Sequence, residues 1–207
     1  MKLYLASANP GKVREFREAA QARGILLEAV PGIQPLPPCV EDGPTFEANA
    51  RKKALHYSAF TSGLVFADDS GISVEALGGA PGVRSARFAG PEADDAANNQ
   101  KLLAELRHVE AASVARAGVL PNRAAHYLCV IVLAQEGRVL TTVEGRADGT
   151  IIDTPRGSGG FGYDPYFFFP PLGKTFAEIT PEEKFTVSHR GAAFRKLLDY
   201  LAKTKNH

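Results

Sequence analysis

The sequence predicts an α/β fold built around a mixed β-sheet, and two observations carry that expectation. Short apolar runs and helical periodicities alternate through the first third of the chain, the pattern of parallel βαβ units. Farther on, two apolar runs are joined across Glu136-Gly137, the pattern of an antiparallel hairpin.

Each element has its own signal. Lys2 to Ser7 reads as a short buried strand. After the turn residues Asn9-Pro10-Gly11, the segment Lys12 to Arg23 places Val13, Phe16 and Ala20 at helical spacing, and Gly24 closes that helix. Ile25 to Val30 is a second strand, and Pro31 to Pro38 is a Pro-rich loop. Thr45 to Thr61 carries Phe46, Ala50, Leu55 and Tyr57 as a helix ending by Gly63, with Pro44 suited to its first turn. Leu64 to Ala67 is a third strand, expected to stop at Asp68-Asp69-Ser70-Gly71. Ala93 to Leu106 is helical by composition, while the Ala-rich run Glu110 to Gly118 reads as a surface excursion. The hairpin strands are Ala125 to Ala134 and Arg138 to Val143. Gly157 to Gly162 is an irregular loop, Tyr166 to Phe169 a short strand, and Arg190 to Lys203 an amphipathic helix presenting Phe194, Leu197, Leu198 and Leu201.

Composition narrows the function classes. With 207 residues, 44% hydrophobic, the chain can bury a substantial core, and the absence of a long linker or composition break favours one domain over residues 1–207. A formal charge of +1 offers no global attraction to nucleic acid or to an anionic membrane, so neither is an expected partner. An anion must instead be held by a local cluster. Cys39 and Cys129 lack the spacing of a zinc site or a redox pair and read as free thiols of a reducing compartment. The apolar run at the start is too short for a secretory signal, and no stretch approaches the roughly 20 residues that span a bilayer. A cytoplasmic location is the expectation.

Three early segments carry chemistry. Ser7-Ala8-Asn9-Pro10-Gly11-Lys12 lies between a strand and a helix, where free N–H groups, the helix dipole and Lys12 favour a phosphate; an ordinary turn with a solvated lysine is the alternative. It has neither P-loop nor dinucleotide-fold spacing. Glu41 precedes a helix on which Asn49 and Lys53 share a face, although Arg51 and Lys52 make a plain basic surface equally natural there. In Asp68-Asp69-Ser70-Gly71, adjacent acids on a strand must point to opposite sides and cannot do the same job. One can ligate a hard cation such as Mg²⁺ while the other accepts a proton or orients a ligand; the same four residues also make a good turn.

Two later segments add donors and rings. Around Gly157 to Asp164, Phe161 and Tyr163 can stack a nucleobase or serve as core. Ser188 suits the cap of the last helix, which places His189 and Arg190 at its positive end. Cationic or donor side chains there suit an anion or a base carbonyl better than they suit the helix. Lys184 lies just upstream.

Taken together, these blocks closely resemble the inosine/xanthosine triphosphate pyrophosphatase family of the RdgB/HAM1 type. The likeness spans nearly the whole chain: Ser7-x-Asn9-x-x-Lys12, Thr45-Phe46-x-x-Asn49-Ala50-x-x-Lys53-Ala54, Ala67-Asp68-Asp69-Ser70-Gly71, Leu77-Gly78-Gly79-Ala80-Pro81-Gly82, Gly159-Gly160-Phe161-Gly162-Tyr163-Asp164-Pro165 and Ser188-His189-Arg190-Gly191. The resemblance implies a mixed α/β fold with an elongated sheet, of the kind shared with Maf proteins, commonly as a homodimer. It implies hydrolysis of non-canonical purine nucleoside triphosphates (ITP, dITP, XTP) to the monophosphate and pyrophosphate. Carried over by position, Ser7, Ala8, Asn9, Pro10, Gly11 and Lys12 hold the phosphates. Glu41 and Asp69 place Mg²⁺, with Asp42 as an alternative to Glu41 in a shifted loop. Asp69 activates water, Lys53 and Asp68 belong to the same centre, and Ser70 touches substrate. Phe161, Gly162, Tyr163, Asp164, Lys184, His189 and Arg190 form the base pocket. A Maf-like pyrophosphatase and a non-catalytic nucleotide-binding module are the alternatives; Asn9 with Lys12 argues against the first, and the Lys53, Asp68, Asp69 trio against the second.

Overall fold

The computed structural model describes residues 2–7, 9–31 and 39–204; Ala8 and nearly all of the Pro-rich segment lie outside them. The chain folds into two compact units, each assembled from interleaved stretches: Met1–Ser70, Cys129–Arg146 and Phe185–His207 in the first, Gly71–Leu128 and Ala147–Lys184 in the second. Among the described residues, seven strands form one sheet in the order β2-β1-β3-β4-β5-β6-β7. It is mixed, as the sequence predicts: β1 (Lys2–Leu5) pairs in parallel with β2 (Leu26–Ala29) and β3 (Val65–Val74), whereas β6 (Phe167–Phe169) pairs antiparallel with its neighbours β5 (Arg138–Ile151) and β7 (Lys174–Thr175). β4 (Ala124–Gln135) turns into β5 through Glu136 and Gly137, both with positive φ, the geometry of a tight hairpin turn.

In the first unit, α1 (Pro10–Gln21) and α5 (His189–Thr204) bury Phe16, Ala20, Phe194, Leu197 and Leu201 against Leu3, Leu5, Phe66, Cys129, Ile131 and Leu133 of the strands. The rings of Phe16, Phe66 and Phe194 meet with centroids 5.3 to 5.8 Å apart. Truncating any one of them to alanine removes about 3–5 kcal/mol. The consequence for function is directional: because both helices pack beside Phe66, their N-termini come to the β3 residues that follow it. In the second unit, Tyr127, Phe167, Phe169 and Phe176 form a separate aromatic cluster.

Several expectations are corrected. β3 does not stop at the acids but runs through Asp68, Asp69, Ser70 and Gly71 to Val74. A strand tolerates these residues because each polar side chain finds a partner, and because Gly71 is there for close approach and not for a turn. A Cβ on Gly71 would lie 2.3 Å from Ser85 Oγ and 2.7 Å from the Gly82 carbonyl oxygen. The turn alternative for this motif is therefore removed. α2 (Phe46–Ser58) is capped by Thr45, whose hydroxyl accepts from the Ala48 N–H, so Pro44 precedes the cap instead of occupying the first turn. The Ala-rich run is not an excursion: α3 (Asp95–Ala117) continues through it to Gly118, whose positive φ ends the helix. β5 is far longer than its apolar signal, since its alternate residues are polar and exposed. The short helix α4 (Pro181–Val187) is an addition to the expected elements, and Thr180-Pro181-Glu182-Glu183 carries its signal: the Thr180 hydroxyl accepts the Glu183 N–H at 3.2 Å and the Glu183 carboxylate accepts the Thr180 N–H at 3.0 Å.

Candidate active site

The two acids of β3 face opposite ways and meet different elements. Asp68 shares its face with Phe66 and Ser70, two residues away on either side, and the Ser70 hydroxyl donates to it at 3.3 Å. This is the face covered by α1 and α5. Lys12, in the first turn of α1, places Nζ 2.8 Å from Asp68 Oδ2. Arg190, in the first turn of α5, brings Nε to 4.0 Å of the same oxygen, donates to Ser70 Oγ at 3.2 Å and pairs with Glu15. The Cys129 thiol lies 4.0 Å from Asp68 on the neighbouring strand.

Asp68 is fully buried. Burial alone pushes its carboxyl up, but Lys12, Arg190 and Lys53 outweigh burial and hold it below the usual carboxylate range. Its Oδ1 has no hydrogen-bond partner among the described residues. A buried carboxylate oxygen left in that state is costly and suits a ligand that can donate to it or carry positive charge.

Asp69 points to the other face, toward α2. Asn49 Nδ2 donates to its Oδ2 at 3.0 Å, and Asn49 Oδ1 accepts the Gly43 N–H at 2.7 Å, tying the preceding loop to the helix. Lys53, one turn on, is buried, not part of a solvated basic surface, and its ammonium lies 2.8 Å from Glu41. Asp42 turns instead to the exposed Lys52 at 2.7 Å, which leaves Glu41 as the carboxylate on the Lys53 side. Burial works against the Lys53 charge, but Asp68 and Glu41 prevail and raise its pKa. Asp69 shifts opposite to Asp68: burial pushes its carboxyl up and the Glu41 charge adds to this, against the pull of Lys12, Asn49 and Lys53. The two neighbouring acids thus shift in opposite directions, Asp68 toward the charged form and Asp69 toward readier protonation.

The proposed phosphate loop is more self-satisfied than its sequence suggests. The Ser7 hydroxyl accepts the Asn9 N–H, Pro10 has none to offer, and Asn9 caps α1 by accepting the Lys12 N–H at 3.0 Å. The Asn9 and Lys12 N–H groups are thus already taken, and Lys12 Nζ is a charged donor at this loop, with buried Gly11 between cap and lysine; Ala8 lies outside the described residues. Ser188 caps α5, accepting the Gly191 N–H at 3.2 Å, and both His189 and Arg190 are buried, where a bare His-Arg pair would be solvated.

In the second unit, Asp164 organises the glycine-rich loop. Its buried carboxylate accepts from the Phe161 N–H at 2.9 Å and pairs with Lys184, whose Nζ lies 4.9 Å from the centre of the Phe161 ring. Phe161 is partly exposed; Tyr163 is not. Its ring is buried and its hydroxyl donates to the Ser85 carbonyl at 2.8 Å, the core placement, one of the two readings its sequence leaves open. Sequence reasoning passed over Glu15, which stands one helical turn after Lys12 and shares its face, and over Cys129, hidden in an apolar run.

Comparisons with known proteins show the family. The model of the Ham1 family matches residues 3–200. A dITP/XTP pyrophosphatase of Syntrophobacter fumaroxidans is 47% identical over 195 residues, covering 94% of this chain and 79% of that protein. One from Desulforamulus reducens is 44% identical across 100% of this chain and 98% of its own. Among solved structures, a HAM1 protein from Coxiella burnetii superposes with a TM-score of 0.84 at 37% identity, covering 98% of this chain and 99% of that one.

Proposed function

The chain belongs to the Ham1 family, and from that premise we propose that it hydrolyses non-canonical purine nucleoside triphosphates (dITP, ITP and XTP) to the nucleoside monophosphate and pyrophosphate. Water attacks the α-phosphorus, the bond to the β-phosphate oxygen breaks, and one proton leaves the attacking water. The observation that carries the assignment of residues is the divided pair on β3, with Asp68 neutralised by Lys12 and Arg190 while Asp69 is left with a raised pKa beside Lys53 and Glu41.

In this reading Asp69 takes the proton of the attacking water, a role that a raised carboxyl pKa favours. Lys12 and Lys53 stabilise charge on the phosphoryl oxygens and the leaving pyrophosphate. Asp68 keeps Lys12 and Arg190 in place before substrate arrives. Phe161 offers a ring face to the base, and the Lys184 ammonium beside it is the donor for a carbonyl at the purine 6-position, which adenine lacks.

A divalent cation fits the residues present. Lys12, Lys53 and Arg190 stand among Glu15, Glu41, Asp68 and Asp69, an excess of negative charge that repels a triphosphate unless positive charge is added. No cluster of three or more metal-ligating side chains occurs among the described residues. Mg²⁺ does not need one, since it commonly uses one or two carboxylates with water and substrate phosphate oxygens. Glu41 and Asp69 would hold it, and when bound it supplies Lewis-acid stabilisation of the phosphoryl charge. A homodimer in the cytoplasm belongs to the same proposal.

The test is pyrophosphate release from dITP, ITP, XTP, GTP and ATP, with Mg²⁺ and with chelator. Fast turnover of the first three and little of ATP, abolished by chelation, is expected, with GTP reading out what the 2-position adds. Equal rates on all five would remove the base assignment, and metal-independent turnover would remove the cation.

A further inference from the structure

Gly162, at φ +65, is held on both sides by α3. The carboxylate of Asp95, the first residue of that helix, accepts the Gly162 N–H at 2.6 Å. Asn99, one turn later on the same face, donates its amide to the Gly162 carbonyl at 2.9 Å and to the Asp95 carbonyl at 2.7 Å. Two acceptors at Nδ2 decide which way this buried amide points, because a flipped amide would set oxygen against oxygen.

The grip matters because of what lies beside it. A glycine in the left-handed region can adopt many other conformations, and ordering it costs more entropy than ordering any other residue. Tying the N–H of the Phe161–Gly162 peptide and the C=O of the Gly162–Tyr163 peptide removes that freedom. The fixed peptides carry Phe161, whose own N–H is bound by Asp164, the partner of Lys184. The direction of the ring and its relation to the lysine are thereby set from α3.

We infer that Asp95 and Asn99 are positioning residues for purine recognition, acting through Gly162 on Phe161. The inference rests on the assignment of Phe161 and Lys184 to the base. It places a determinant of substrate affinity on a helix that contributes no group to the phosphate chemistry.

Steady-state kinetics of the full chain on dITP with Mg²⁺ test it, using Asn99→Ala, Asp95→Ala, Asp95→Asn and Phe161→Ala. Loss of a hydrogen bond to the loop should raise KM about tenfold in the two alanine variants of the grip, with kcat within about twofold of wild type. Asp95→Asn keeps an acceptor oxygen and should recover most of the loss. Asp95 is exposed, so its variants decide the matter even where Asn99→Ala does not fold. If Phe161→Ala raises KM but the Asp95 variants stay at wild type, the positioning role is overturned and the base assignment stands. If Phe161→Ala leaves KM unchanged, the base assignment fails and takes this inference with it. A fall in kcat at constant KM in the Asp95→Ala protein also overturns it.

Discussion

The Lys12 ammonium lies 2.8 Å from a carboxylate oxygen of Asp68, and both side chains are largely withdrawn from solvent. In Lys12→Met the triphosphate loses a cation and Asp68 loses its nearest partner. We expect kcat/KM for dITP to fall about 10²-fold or more. Pyrophosphate release measures this, and a loss under threefold would mean that Lys12 serves Asp68 alone.

The opposed shifts of the two acids predict opposed effects on stability. Asp68 has a lowered pKa, so its stabilising contribution is present above the ordinary carboxylate value of 3.8 and is lost as pH falls through its lower folded value. Asp68→Asn should therefore flatten the acid limb of a Tm-against-pH curve. At neutral pH it should destabilise by about 3–5 kcal/mol, because Lys12 loses its counter-ion and Arg190 is left with Glu15 alone. Unchanged acid sensitivity would contradict the pairing.

Asp69 has the reverse sign. Its raised pKa contributes stability below 3.8 that is lost as pH rises through the folded value, so the ionised group is a burden at neutral pH. Asp69→Asn keeps an acceptor for Asn49 and should melt at or above the wild-type temperature at pH 7 while losing turnover by about 10²-fold or more. Near-normal turnover of Asp69→Asn at saturating Mg²⁺ would end its role as base.

Glu41 pairs with Lys53 and adds its charge to the burden on Asp69. Glu41→Gln should raise the Mg²⁺ concentration for half-maximal rate about tenfold or more while sparing the rate at saturation. Titration of activity with Mg²⁺ reads this out, and an unchanged midpoint would move the metal away from Glu41.

Gly71→Ala should be destabilising without touching any proposed substrate contact. The added Cβ meets the Gly82 carbonyl and Ser85 Oγ well inside contact distance, and such overpacking costs about 1–3 kcal/mol. For a chain of this size that lowers Tm by about 2–4 °C per kcal/mol, measurable by calorimetry.

What the sequence could convey follows from how local each signal is. Apolar spacing marked β1, α1 and α5 because their core residues are neighbours along a strand or helix. The same logic failed for β3, where the apolar run ends at Ala67 but pairing continues, since the polar residues beyond it are satisfied by Lys12, Asn49 and Arg190 from distant parts of the chain. Opposite placement of Asp68 and Asp69 was legible from strand geometry alone, but not which acid is the counter-ion, because that depends on which helices cover each face. Lys53 looked like one lysine among several until burial set it apart from Lys52, and Tyr163 looked like Phe161 until its hydroxyl found Ser85.

The pairing of Arg190 with Glu15 bridges 175 positions of sequence, and it has a consequence for the newborn chain. On the ribosome, Lys12 and Asp68 emerge well before α5, by roughly 6–25 s at ordinary elongation rates. During that interval Phe16 and Phe66 lack the ring that will cover them, and Asp68 lacks one of its cations. The nascent polypeptide is thus an aggregation hazard before it is a hydrolase, and chaperone demand should be greatest for chains arrested between β4 and α5.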